Sequence, residues 1–263
     1  MKGYTYYRRL RFYAGNCWRF ATVPWRQGWI QSDEATSIFA CSFGENGWHH
    51  LRRTLEEYDA NPKIDWRDTT LYLFLTRFKP YSICELLDAP SENCNLPLFV
   101  YPWGTFRKNE ITTMKDPSTS RFCGPSTNEF VAEEFQRLIA LYHHLKVTGY
   151  RPWKYGHTFV GGTFLYNLKG ERRFVVLQGN HRFAILAHLG MKNIHVRDCP
   201  GYLKSVRESE LERWPLVVNK LCSPETARNI FRLFFQQSGS NVCAQIENNY
   251  FNYLISLPNQ TNK

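Results

Sequence analysis

The spacing of apolar positions changes period along this chain, and each change marks an element. From Asn128 to Lys146, Val131, Phe135, Leu138, Tyr142 and Leu145 recur at spacings of 4, 3, 4 and 3, the buried stripe of an amphipathic helix. Ser126 or Thr127 supplies its N-cap and Gly149 its stop. Thr158 to Leu165 and Arg173 to Leu177 flank Asn167-Leu168-Lys169-Gly170, the pattern of a hairpin. Phe174-Val175-Val176-Leu177 reads as a buried strand that stops at Gln178-Gly179-Asn180. Apolar residues at 183, 184, 186, 187 and 189 then predict a helix from His181 to Leu189, N-capped by Asn180 and ended by Gly190. Ile194-His195-Val196 predicts one more strand.

Upstream, Trp48 to Tyr58 reads as a helix broken by Asn61-Pro62, and Thr69 to Phe78 as a second helix before Pro80. Leu96 to Pro102 reads as a strand, and residues 104–125 are dense enough in Gly, Pro, Ser, Thr and Asn to form a loop. Residues 1 to about 40 are aromatic and basic, compatible with short strands or an irregular cover. After Cys199-Pro200-Gly201 a polar linker leads to a helix with Pro224 in its first turn. There is no internal repeat. The predicted class is α/β (α+β) in three parts. These are an aromatic, mainly helical extension (1–110), a core (111–200) and a helical tail packed on it (201–263).

Composition narrows the function classes. With 263 residues, 43% of them hydrophobic, the chain can bury a full core. Aromatics at 16% read as packing, with a sugar- or base-stacking surface as the alternative. Lys and Arg number 33 against 23 acids, a net +10. That balance suits nucleic acid, nucleotides, phosphorylated sugars or an anionic membrane face, but the absence of a run of five basic residues argues against a dedicated DNA arm. The eight cysteines form no C-x-x-C pair, which argues against a zinc ribbon or redox dithiol and predicts eight reduced thiols in a cytoplasmic protein. The start, MKGYTYYRRLRFYAGN, carries charges where a signal peptide needs an apolar core. Leu71 to Phe78, the most apolar stretch, is broken by Thr76 and Arg77 and is too short to span a bilayer. Peripheral membrane contact stays open.

The candidate chemistry sits at Gly179-Asn180-His181-Arg182. A strand, a glycine turn and a helix opening with His-Arg form a phosphate cradle, because first-turn N–H groups and the helix dipole point at the bound group. Gly179 allows close approach, while His181 and Arg182 add side-chain donors. The alternative is a structural turn whose arginine pairs with a nearby carboxylate.

This Gly-Asn-His-Arg turn, with its Leu-Gly-ended helix and short strand, resembles the ParB/sulfiredoxin superfamily, in which the corresponding turn grips nucleotide phosphates. The resemblance covers residues 126–198, with Phe130 to Tyr150 matching the fold's first long helix and "GYRPW" the turn after it. "RFCGPST…E" at 121–129 and "WP" at 214–215 are similar, more loosely, to ParB-like proteins of bacterial surface-polysaccharide biosynthesis. The sulfiredoxin catalytic cysteine is replaced here by Asn180, which disfavours that chemistry. The residue before the glycine, commonly acidic in ParB-like serine kinases, is Gln178.

The resemblance implies ATP or another nucleotide with Mg²⁺, held by Gly179, Asn180, His181 and Arg182, and by Arg121 and Ser126 beside Cys123. Phosphoryl transfer also needs a carboxylate near the acceptor hydroxyl. Glu129 and Glu133 are the candidates, with Asp116 a third. Glu129 could instead serve the helix dipole, and Glu133 could pair with Arg137. Cys123 reads as a packed thiol. His181, His188 and His195 recur every seven residues, but the first two lie two turns apart, about 10 Å along a helix, so no metal site is predicted. His49-His50 and His143-His144 read as surface or capping residues. The expected function is a nucleotide-dependent, kinase-like phosphotransferase acting on a small hydroxyl acceptor, such as a sugar or glycan precursor. The alternatives are a ParB-like DNA-binding nucleotide switch and a non-catalytic nucleotide- or glycan-binding protein.

Overall fold

The computed structural model describes residues 27–89, 96–104, 122–154, 159–199, 202–236 and 238–247. Its centre is one mixed sheet of β1 (Gln27–Ile30), β2 (Ala35–Ser37), β3 (Val160–Tyr166), β4 (Arg172–Gln178), β5 (Ile194–Asp198) and β6 (Ser205–Arg207). The order is β1-β5-β3-β4-β2, with β6 also on β3. β3 and β4 form the predicted antiparallel hairpin. The first half of β3 pairs in parallel with β5 and its second half with β6. The strand changes register at Gly161/Gly162, where a Cβ on Gly162 would lie 2.2 Å from the Val175 carbonyl oxygen. Only glycine passes there.

β1 and β2 stand at opposite edges, yet only Gln31–Glu34 separates them, and Ser32–Glu34 is a 3₁₀ turn. The edges of a flat five-strand sheet would lie about 19 Å apart. That link spans only about 13 Å, so the sheet must roll. An Arg172 fork pins the link, donating to Glu34 Oε1 at 2.9 Å and Oε2 at 3.1 Å. Arg173 donates to the Asp33 carbonyl at 3.0 Å.

The described helices include α1 (His50–Ala60), α2 (Thr70–Arg77), α3 (Ile83–Leu87), α4 (Asn128–Thr148), α5 (Asn180–His188), α6 (Pro215–Val218) and α7 (Pro224–Gln236). α5 packs against both α1 and α4. At its far end His188 Nε2 lies 2.8 Å from Asp59 of α1, which also accepts from the Tyr142 hydroxyl of α4 at 2.9 Å. One carboxylate therefore ties three helices. Among the described residues no helix is long and apolar enough to cross a membrane.

Four expectations change. Leu96–Pro102 is not a strand: Pro97 makes only an isolated bridge to Ser82, and Phe99 takes a positive φ of 63° that breaks extension. Asn180 is not the cap of α5 but its first residue, behind Gly179. The sheet draws on all three sequence segments, with β1 and β2 from the first and β6 from the last, around one core running from Ile30 to Ile246. Cys84 is disulfide-bonded rather than reduced, because pairing follows approach in the fold, which sequence spacing does not encode. Cys41, Cys199, Cys222 and Cys243 are free thiols. Burial pushes the Cys41 and Cys199 thiols up to about 12, which removes them as nucleophiles.

Candidate active site

β4 delivers the chain to Gly179, whose φ of 85° turns it directly into α5. A left-handed backbone favours glycine, and space requires it too: a Cβ there would lie 3.2 Å from both Nε and the second terminal nitrogen of Arg182. The guanidinium thus folds back against the turn. The Phe183 N–H makes the first bond of the helix, to the Gly179 carbonyl at 2.9 Å. The amides of Asn180, His181 and Arg182 precede it and have no intrahelical acceptor.

A cavity of about 210 Å³ opens at this helix start. Asn180, His181 and Arg182 line it from α5, Glu134 and Arg137 from α4, and His49 and His50 from the start of α1. Phe39, Leu51, Leu71 and Leu75 add apolar wall. Glu134 is buried, with one oxygen 3.3 Å from His181 Nε2 and the other 3.3 Å from Arg137.

Arg182 has no acidic partner among the described residues. Burial lowers its pKa; the Tyr150 phenol opposes that, and the Arg137 charge lowers it further. Arg197 is also held down, first by burial, with the Arg182 charge contributing. Arg182 is therefore half-buried within electrostatic reach of two other cations. Among the described residues, Arg182 Nε, Asn180 Oδ1, His49 Nε2 and His50 Nδ1 are buried without a hydrogen-bond partner.

The histidine pair is built by the boundary of α1. His49 is the extended N-cap, and its Nδ1 accepts from the Leu51 N–H at 3.3 Å. Its ring stacks on Phe43 and His50, at centroid distances of 4.1 and 4.6 Å, and His50 stacks on Phe74 at 3.7 Å. Burial drives His49 down to about 3, helped by the nearby His181, and lowers His50 as well.

Gly179, Asn180, His181 and Arg182 all line this cavity. Glu129 and Glu133 do not. Both are exposed on α4, and the carboxylate facing His181 belongs to Glu134. The fully buried positions of α4 are Val131, Glu134, Leu138, Tyr142 and Leu145, with Phe135 half-buried against the core beside them. Ser126 donates its backbone N–H to the Leu75 carbonyl at 2.8 Å and is not among the lining residues. Gln178 is exposed at the end of β4. Arg121 and Asp116 lie outside the described residues.

Cys123 is buried, as expected of a packed thiol. His49 caps α1 as read, but neither it nor His50 is a surface residue. His195 sits in an aromatic surround of Trp29, Trp153 and Phe159, apart from His181 and from the His188–Asp59 pair. Among the described residues no group of His, Cys, Asp and Glu is arranged to hold a metal ion. Set against protein-family models, curated proteins and solved structures, the chain matches none of them.

Proposed function

We propose that this chain carries a ParB/sulfiredoxin-like core and transfers a phosphoryl group from a nucleotide to a small hydroxyl acceptor, a sugar or glycan precursor. The observation that supports this most directly is Arg182, desolvated beside Arg137 and Arg197 with no carboxylate partner among the described residues. A half-buried guanidinium among cations is costly unless an anion joins it. The α5 start and His181 supply the further donors that a phosphate needs.

Glu134, in place of Glu129 or Glu133, is the carboxylate for the acceptor. The acceptor oxygen attacks the terminal phosphorus, and the bond to the leaving diphosphate oxygen breaks. The hydroxyl proton passes to Glu134. The cavity is smaller than the roughly 300–1,000 Å³ of pockets for drug-sized ligands, so it encloses the transferring phosphoryl end and not the base. Its residues fit a phosphate. For Mg²⁺ they offer one carboxylate, already between His181 and Arg137, so any Mg²⁺ is carried by the nucleotide. Its chemistry there is to neutralise phosphate charge.

A kinase of this kind belongs in the cytosol, with its nucleotide. The Cys84 disulfide pulls the other way, since disulfides persist in oxidising compartments. The engagement of Glu134 by His181 and Arg137 favours a second reading, in which the cavity binds a phosphate compound without catalysis. The test is calorimetric and thermal-shift titration with ATP, ADP, CTP and GTP, each with and without Mg²⁺, beside duplex DNA and a phosphoryl-transfer assay on simple sugars. Nucleotide binding with transfer supports the kinase, and binding without transfer on any acceptor favours the second reading. Binding of duplex DNA alone would sink both.

A further inference from the structure

The phosphate donors account for only part of the cavity lining. Two stacked imidazoles, with apolar residues among the rest of the lining, form what we term its floor. His49 is 1% exposed and His50 4% exposed, and each keeps a buried ring nitrogen without a hydrogen-bond partner. Such atoms are costly to leave unsatisfied, and both residues line the cavity.

The local geometry also says what His49 offers. Its Nδ1 accepts the Leu51 N–H, so that nitrogen carries no proton. Burial keeps the ring uncharged at ordinary pH, so its single proton sits on Nε2. The orphaned atom is therefore a donor that calls for an acceptor oxygen. A charged oxygen is better served at the other end, by Arg182, Arg137 and the helix start. Here the surroundings are Phe39, Leu51, Leu71 and Leu75. A hydroxyl fits both imidazoles, accepting from His49 Nε2 and able to donate to or accept from His50 Nδ1.

We infer that His49 and His50 form a hydroxyl-recognition floor, and that the ligand the cavity encloses is a compact phosphorylated polyol, its phosphate on Arg182 and a hydroxyl on His49 Nε2. This rests on the phosphate reading above and makes the enclosed species the product, or the product-like end, of phosphoryl transfer to a small sugar alcohol or sugar. His49 is a specificity residue, not a base: its ring is held uncharged and its acceptor nitrogen is committed to the helix cap.

The test uses the whole chain and isothermal titration with inorganic phosphate, glycerol 3-phosphate, ribose 5-phosphate and n-propyl phosphate. In the native protein a hydroxylated phosphomonoester should bind on the order of tenfold or more tightly than n-propyl phosphate, the loss expected for an unpaired buried donor. His49→Asn keeps an oxygen for the Leu51 N–H but removes the Nε2 donor. It should erase that preference while leaving the affinity for inorganic phosphate within about twofold. Equal binding of n-propyl phosphate and glycerol 3-phosphate by the native protein would overturn the floor and leave the phosphate site standing, and that comparison needs no variant. A preference that survives in His49→Asn would overturn it too. If inorganic phosphate and every phosphomonoester fail to bind, the phosphate reading itself falls and takes the floor with it.

Discussion

The two ends of α5 are made of similar residue types and are finished in opposite ways. At its C-terminal end His188 meets Asp59 at 2.8 Å, Tyr142 donates to the same carboxylate, and Lys146 donates to the Tyr142 hydroxyl at 3.2 Å. Each charge there has a partner. At its N-terminal end Arg182 and Asn180 keep buried atoms unsatisfied beside a cavity whose floor does the same. Polar clusters that hold a fold together close on themselves, whereas a cluster left open has its last partner still to come.

Acid should separate the ends most strongly. His49, pushed down to about 3, and His50, also lowered by burial, stay uncharged in the fold, while unfolded histidines protonate near 6.5. Between those values the unfolded chain binds the extra protons. Stability therefore falls as pH drops below about 6.5, by about 1.4 kcal/mol per pH unit for each such histidine. For Asp59, burial pushes the pKa up, but hydrogen bonds from His188 and Tyr142 hold it below its ordinary 3.8. Its contribution is present above that value and is lost only as pH falls through the lower folded one. Urea titrations from pH 7.5 to 4.5 should show the slope, and His49→Asn should roughly halve it, leaving the share of His50. A flat profile down to pH 5 would mean that the histidines are not buried uncharged.

Arg182→Ala should weaken phosphate-ligand binding by about 1.5–3 kcal/mol, the scale of a charge-assisted hydrogen bond. Stability should hold or rise, because the change removes a partly desolvated charge with no counter-ion among the described residues. A variant that instead lost stability would make Arg182 structural, erasing the contrast with the far end. Gly179→Ala combines a positive φ with a Cβ 3.2 Å from the guanidinium. It should cost about 1–2 kcal/mol of stability and weaken binding by displacing Arg182. Chemical denaturation beside phosphate titration checks both effects. Asp59→Asn should be smallest, about 1 kcal/mol or less after discounting its solvent exposure, with ligand affinity unchanged.

The elements around the site were legible wherever periodicity was strong. The α4 stripe, the β3–β4 hairpin and the helix after Gly179 all follow from apolar spacing. Three of the residues that matter most were hidden by reasoning that is usually sound. Glu134 occupies a stripe position, three residues after Val131 and four before Leu138, but a charged residue in a stripe is passed over for its apolar neighbour Phe135. A carboxylate at a buried spacing was itself the available signal. Adjacent histidines on a helix point to different faces, but His49 and His50 straddle the helix boundary. His49 has φ −141° and ψ 122°, so the helical rotation does not separate them, and both reach the cavity. The roll of the sheet was not legible, because the pairing of β1 with β5 and of β2 with β4 leaves no local trace.

That roll sets a timetable. Gln27 pairs with Arg197 and Ala35 with Phe174, so both edge strands are made long before their partners. At about 5–20 residues per second on the ribosome, β1 waits roughly 10–35 s for β5 to be synthesised. During that interval β1 and β2 are unpaired edges, open to pairing with other chains. The floor of the cavity, His49 and His50, emerges early, and its roof, Asn180 to Arg182, emerges late. A nascent chain stalled before residue 178 would have helices but no closed sheet and no cavity. Its binding function would arrive all at once, with the last central strand.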